Sequence, residues 1–267
     1  MDHLHQAFRL AAFSSITALD AAVRAPAHEA DDPLSWERLS ATATLVLTPS
    51  GGPIRTIVTG RRLTTTGAYA SRKAGRALPY ESMNERAFFM HSEVDTDVVD
   101  YRAQPFRFEF ILGGQKRTYI VDCVRLLAGG EVEVVEIKND RRALKDPDYR
   151  LKLEAVRLIC HRIGWRFRVV FKPALFEPEE TYRSIVDIQS WAFTEVTSAD
   201  VFGVVDQLDR HGAMALGRLA EHLGERSLGV AKLKAMMIGR IVRLDLASPL
   251  NNETRVELVD DQPKVLQ

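Results

Sequence analysis

Several things are scarce in this chain of 267 residues, and each scarcity excludes a class. Its two cysteines, Cys123 and Cys160, form no motif, so neither a disulfide framework nor a thiolate metal site is expected. Both read as small buried hydrophobes in a reducing, cytoplasmic setting. Net charge is missing as well: 36 basic residues balance 36 acidic ones, and the overall field calls for no nucleic-acid partner by itself. No apolar run approaches the roughly 20 residues of a membrane span, so no membrane association is expected. The opening MDHLHQAFRLAAFSSITALD has no basic start and carries Arg9 and Asp20 beside its apolar part, against a secretory signal. Internal repeats and low-complexity tracts are lacking too. What remains, 46% hydrophobic and 27% charged, is ordinary for a globular protein with room for about two domains.

Charge is unevenly distributed. Between Arg55 and Tyr80 the chain carries Arg55, Arg61, Arg62, Arg72, Lys73 and Arg76 with no acid among them, interleaved with Thr, Ser and Gly. Cations with small hydroxyl residues suit a DNA backbone; the plainer reading is a solvated loop balanced by acids elsewhere in space. Ahead of it, residues 1–24 read as a helix ended by Pro26. Thr42–Thr48 and Ile54–Thr59 read as a hairpin around Pro49-Ser50-Gly51-Gly52-Pro53.

The most informative stretch is Arg117–Lys138. It reads as two strands joined at Gly129-Gly130 within an antiparallel meander that begins at Val98. Side chains alternate along a strand, so Glu136 and Lys138 share a face with Val132 and Val134, and Asp122 shares one with Ile120, Val124 and Leu126. Two carboxylates and an amine are thus aimed at an apolar face, where they need each other, a metal or hydrogen-bond partners. Upstream, ESMNERAFFMHSEVD reads as a helix with Met83, Ala87 and Met90 toward the core and Glu85 in its first turns. Ser82-x-x-Glu85 is also a capping-box signature, in which the acid serves the helix end alone. Downstream, a helix carrying Leu153, Val156, Ile159, Cys160 and Ile163 stops at Gly164 and leads to a strand, Trp165–Phe171. This is a β-α-β crossover that predicts a parallel pair.

An acid on a helix, an acid on the next strand and E-x-K on the strand after it match the order of a PD-(D/E)xK nuclease core. Phosphodiester hydrolysis calls for a hard divalent cation held by carboxylates, with a lysine to orient water or to stabilise charge on phosphate. E-x-K alone is weak; the ordered set is much stronger. The run Tyr80–Arg86, the helix ending at Glu93-Val94-Asp95, Val98–Arg102, Gln104-Pro105 and Val135–Lys138 together resemble the TnsA family, over roughly Arg72–Phe171. TnsA proteins are the endonuclease subunits of heteromeric transposases. The resemblance implies that Glu85, Asp122 and Glu136 hold Mg²⁺, with Mn²⁺ as a substitute, and that Lys138 is the catalytic lysine. It further implies cleavage at the 5′ transposon ends, a TnsB-like DDE transposase for the 3′ ends, a TnsC-like AAA+ ATPase regulator and a nucleoid-associated site of action. Many relatives have Pro and Phe around the aspartate, where this chain has Val121 and Cys123.

Past a Pro- and Glu-containing connector, three helical patterns (Val201–Arg210, Ala215–Leu223, Gly229–Ile238) precede two strands, Ile241–Leu246 and Thr254–Val259. This is a winged-helix pattern, with Lys232, Lys234, Arg240 and Arg243 as candidate DNA contacts. Winged helices also bind proteins, and Met236-Met237 with Glu221 and Glu225 suit that use. The expected organisation is an extension at 1–60, a restriction-endonuclease-like mixed sheet flanked by helices at 61–175, a connector at 176–200 and a winged helix at 201–267. The expected function is a metal-dependent DNA endonuclease of a transposase. The rivals are a stand-alone restriction, defence or junction-resolving nuclease and a non-catalytic adaptor.

Overall fold

The computed structural model describes residues 16–25, 43–48, 52–55 and 65–259. The β-branched, alternating stretch from Val98 to Phe171 builds its centre. A mixed four-stranded sheet has the order β4-β7-β8-β9, formed by β4 (Val98–Ala103), β7 (Cys123–Leu127), β8 (Val132–Lys138) and β9 (Arg166–Phe171). β7 and β8 are antiparallel around Gly130, whose φ of 83° explains the glycine at that turn. β8 and β9 are parallel, from Glu133↔Arg166 to Lys138↔Phe171, joined by helix α3 (Pro147–Arg162) as the crossover pattern predicts.

The expected meander is corrected at one point. Between β4 and β7 the chain leaves this sheet as a hairpin, β5 (Phe106–Leu112) and β6 (Gln115–Ile120), which with β1 (Ala43–Leu47) makes a separate three-stranded sheet. β1 pairs with β5, from Ala43↔Phe110 to Leu47↔Phe106, so it completes that sheet. Of its expected hairpin partner Ile54–Thr59, residues 56–59 lie outside the described residues, as do 1–15 of the first helix, whose remainder is α1 (Ile16–Arg24). The basic stretch is not all loop: β2 (Gly67–Ser71) and β3 (Arg76–Tyr80) form an antiparallel hairpin.

Helix packing divides the apolar residues between the faces of the four-stranded sheet. α3 covers one face, where Leu153, Val156 and Cys160 meet Val124, Val132, Val134 and the aromatic side chains of β5 and β6. Helix α2 (Met83–Val94) covers the other, where Ala87, Phe88 and Phe89 meet Cys123, Val135 and Ile137. Cys123 and Cys160 are both free and buried, one in each layer. Met83, expected in the core, is 43% exposed, because it starts the helix ahead of the turns that pack on the sheet.

The segment from 172 onward contains α4 (Pro173–Phe176) and α5 (Glu179–Ser190). α5 is more than a tether: Ile185 and Ile188 share an apolar cluster with Met90 and Val94 of α2 and with the C-terminal elements. Those elements are α6 (Ser198–His211), α7 (Leu216–Ala220), α8 (Arg226–Ile238) and an antiparallel sheet ordered β10-β12-β11. Its strands are β10 (Met214–Ala215), β11 (Val242–Leu244) and β12 (Arg255–Leu258). Helix α8 is buried along most of its length, and a Cβ on its Gly229 would fall 2.2 Å from the Ala220 carbonyl oxygen, so only glycine permits this approach to α7.

Candidate active site

A break in a strand ladder assembles the site. β6 ends at Ile120 and β7 starts at Cys123, leaving Val121 and Asp122 between them. The last β7–β8 rung pairs Cys123 with Val135, so one step further places Asp122 opposite Glu136. There a side chain takes over from the ladder: the Ile137 N–H donates to Asp122 Oδ2 at 2.8 Å. The Asp122 carbonyl in turn accepts the Gln104 N–H at 3.1 Å. Gln104 is 1% exposed and sits at φ 45°, a left-handed conformation uncommon for a side chain of this kind.

Glu136, 3% exposed, gathers three donors. The Tyr119 hydroxyl of β6 donates to its Oε2 and the Tyr149 hydroxyl from the first turn of α3 to its Oε1. Lys138 Nζ lies 2.5 Å from the same Oε1. The two tyrosines were not legible as partners of Glu136, since no spacing links positions 17 and 13 residues away on two other elements. Alternation does place Glu136 and Lys138 on the face of Val132 and Val134, as expected.

Glu85 arrives from the opposite side, because α2 covers the other face of the sheet. Its carboxylate serves the helix end: Glu81 N–H donates to Oε2 at 2.8 Å and Ser82 Oγ–H to Oε1 at 3.2 Å, while Ser82 Oγ accepts the Glu85 N–H at 3.2 Å. The capping signature is therefore realised, with its return leg on the residue before Ser82. Among the described residues no three His, Cys, Asp or Glu side chains converge closely enough to hold a metal ion. Glu85 is nevertheless near enough to add to the field at Asp122.

Electrostatics follow from this geometry. Burial pushes the Asp122 carboxyl well above the usual carboxylate range; Glu136 and Glu85 push it further, against the Ile137 N–H and Lys138. Burial also raises Glu85, partly offset by the Glu81 N–H. At Lys138 burial disfavours the charge, yet Glu136 and Asp122 outweigh it and hold the amine above its ordinary value. Asp122 thus favours a proton beside a second carboxyl, and a divalent cation relieves the same repulsion. Asp122 Oδ1 takes no hydrogen bond among the described residues. As hard oxygen donors, Asp122 in the β6–β7 break and Glu136 on β8 could hold Mg²⁺ or Mn²⁺ as a two-carboxylate pair. Asn84 at the start of α2 bonds Asn139 just past β8 at 3.2 Å, tying the helix to this end of the sheet.

The candidate DNA contacts are mostly turned inward. Arg61 and Arg62 lie outside the described residues. The β2–β3 turn docks on Glu93, which is 1% exposed and accepts from Ser71 Oγ, the Arg72 and Lys73 N–H groups and the Tyr101 hydroxyl. Arg72 Nη1 donates to the Ala192 carbonyl at 2.8 Å. Lys73 Nζ caps the end of α2 by donating to the Ser92 and Asp95 carbonyls at 3.1 and 2.5 Å. Arg76, on β3, is half-buried. Lys232 pairs with Asp200 and Lys234 with Asp187, each at 2.7 Å, while Arg240 and Arg243 reach Thr96 and Arg243 also reaches Asp97. A cleft of about 600 Å³ lined by Arg125, Arg168 and Arg243 lies between β9, α4 and β11, and includes none of the carboxylates above.

Residues 95–172 match the family model described as TnsA-like endonuclease N terminal. The match takes in Asp122, Glu136 and Lys138 and begins after Glu85, a narrower span than Arg72–Phe171. No curated protein matches the chain. No helix among the described residues is long and apolar enough to cross a membrane.

Proposed function

From the TnsA-like endonuclease region at residues 95–172, we propose that this chain is the DNA-nicking subunit of a heteromeric transposase. In this reading it hydrolyses a phosphodiester at the 5′ ends of the element, a DDE transposase cuts the 3′ ends, and an AAA+ ATPase governs when. The observation that carries it is the Asp122–Glu136–Lys138 constellation at the break between β6 and β7, inside the matched region.

Asp122 and Glu136 would hold the divalent cation, with Glu85 at the edge of the set. Bound there, the ion supplies charge neutralisation at phosphate and an acidified water. The residues of the chain do the rest. Tyr119 and Tyr149 fix the Glu136 carboxylate from two sides, so its oxygens keep their aim. The Ile137 N–H fixes one oxygen of Asp122 and leaves the other to face the site. Lys138, protonated and tethered to Glu136, would orient the attacking water and offset charge building on the phosphate oxygens. The C-terminal helices and β10-β12-β11 sheet fit a winged helix. With α8 buried against α5 and α7, that unit suits a protein partner better than a DNA groove.

Two observations favour a second reading, a non-catalytic adaptor: Glu85 is spent on its helix cap and Lys138 on Glu136. Nicking of a transposon-end duplex by the reconstituted complex separates the two. The nuclease reading expects Mg²⁺-dependent 5′-strand cleavage that Asp122→Ala removes; equal cleavage by both proteins rules it out.

A further inference from the structure

Arg55 lies outside the matched region, on a short described stretch of the N-terminal segment, yet it reaches the catalytic end of the sheet. Its Nε donates to Gln104 Oε1 at 3.0 Å and its Nη2 lies 2.8 Å from Glu81 Oε1. The preceding Ile54 N–H donates to the Gln104 carbonyl at 2.8 Å. Each partner is one bond from a candidate catalytic acid: the Gln104 N–H holds the Asp122 carbonyl, and the Glu81 N–H holds the Glu85 carboxylate. Arg55 also lowers the pKa of Glu85 through its field, so the guanidinium lies near the site in space as well as in connectivity.

Four carboxyl groups, Glu81, Glu85, Asp122 and Glu136, neighbour one another at this end of the molecule. A DNA backbone approaching such a surface needs cations to meet it. Lys138 is bound to Glu136, and its side chain is 26% exposed. The Arg55 side chain is 41% exposed although two of its nitrogens are anchored. A planar guanidinium fixed along one edge presents its other edge outward in a set orientation, the geometry suited to a phosphate.

We infer that Arg55 is a phosphate-contacting residue that the N-terminal segment adds to the nuclease site, oriented by Glu81 and Gln104. This rests on the nuclease reading and extends it to substrate engagement. The phosphate is one flanking the scissile bond, since Arg55 reaches the site from the side of α2 and the β4–β5 turn rather than from the β8–α3 side that carries Lys138.

The test uses the full chain, with its partner subunits where cleavage requires them, and a duplex carrying a transposon end. Affinity is measured across a salt series for wild type, Arg55→Ala and Arg55→Gln, the last retaining a hydrogen-bonding group should the alanine variant fold poorly. Loss of one phosphate contact predicts a salt slope smaller by roughly 0.9 in both variants. A scan of neutral methylphosphonates along the backbone adds a readout that a merely structural role would not move. One position near the nick should weaken wild type and leave the variants unchanged. A salt slope equal to wild type in the folded variants, or equal sensitivity to every methylphosphonate, overturns the assignment of Arg55 alone. Absence of both binding and nicking by wild type removes the nuclease reading and this inference together.

Discussion

Replacing Lys73 by methionine tests whether this cation belongs to the interior. The residue is 8% exposed, and burial pushes its amine from the ordinary 10.5 down to about 7, against the opposing fields of Glu93 and Asp95. Below pH 7 folded and unfolded chains both hold the proton, and the cost of the buried charge is fully present. Between about 7 and 10.5 the unfolded chain binds more protons than the folded one, so stability rises with pH. Integrated from pH 7 to about 8.5, that shift contributes about 1.5 kcal/mol. Cys123 and Cys160, whose thiols burial raises, act in the opposite direction at higher pH but cancel between wild type and variant. Urea unfolding of both proteins across this range should therefore show wild type gaining about 1.5 kcal/mol on Lys73→Met. A difference that stays flat would mean that the amine titrates as a solvated group, and the docking of the β2–β3 turn on Glu93 would be wrong.

Four further substitutions, taken in two pairs, probe single contacts. Gly229→Ala drives a Cβ into the Ala220 carbonyl and should destabilise by about 2 kcal/mol or more, whereas Gly203→Ala, whose Cβ meets nothing, should be neutral or stabilising in thermal melts. Ser82→Ala removes the cap of α2 and should cost about 1 kcal/mol of stability with nicking retained, while Glu85→Gln should leave stability nearly intact and impair nicking; intact nicking by Glu85→Gln would confine Glu85 to capping.

How far the sequence could be read depends on whether partners are local. The Gly129-Gly130 turn, the alternation of Val132, Val134, Glu136 and Lys138, and the α3 stripe all rest on spacing within one element, and each stands in the structure. The departure of β5 and β6 into a second sheet has no such signature, since a strand's alternation gives its buried face and not the sheet it joins. The cations show the same limit. Lys73, Lys232 and Lys234 read as candidate DNA contacts, but their partners are set by tertiary contacts with Ser92, Asp95, Asp200 and Asp187. At the site, the acids and the lysine were legible in order, whereas Tyr119, Tyr149 and Arg55 act through bonds that cross between elements.

The central claim is that the carboxylate at the β6–β7 break is the core of a metal-dependent nuclease. It is tested most directly by strand-specific cleavage of a transposon-end duplex in the reconstituted complex, comparing wild type with Asp122→Ala in Mg²⁺ and in chelator. The account predicts 5′-strand nicking by wild type in Mg²⁺ alone, reduced at least roughly a hundredfold by the substitution, with 3′-strand cutting retained. Equal 5′ nicking by the two proteins, or nicking that persists in chelator, would contradict it.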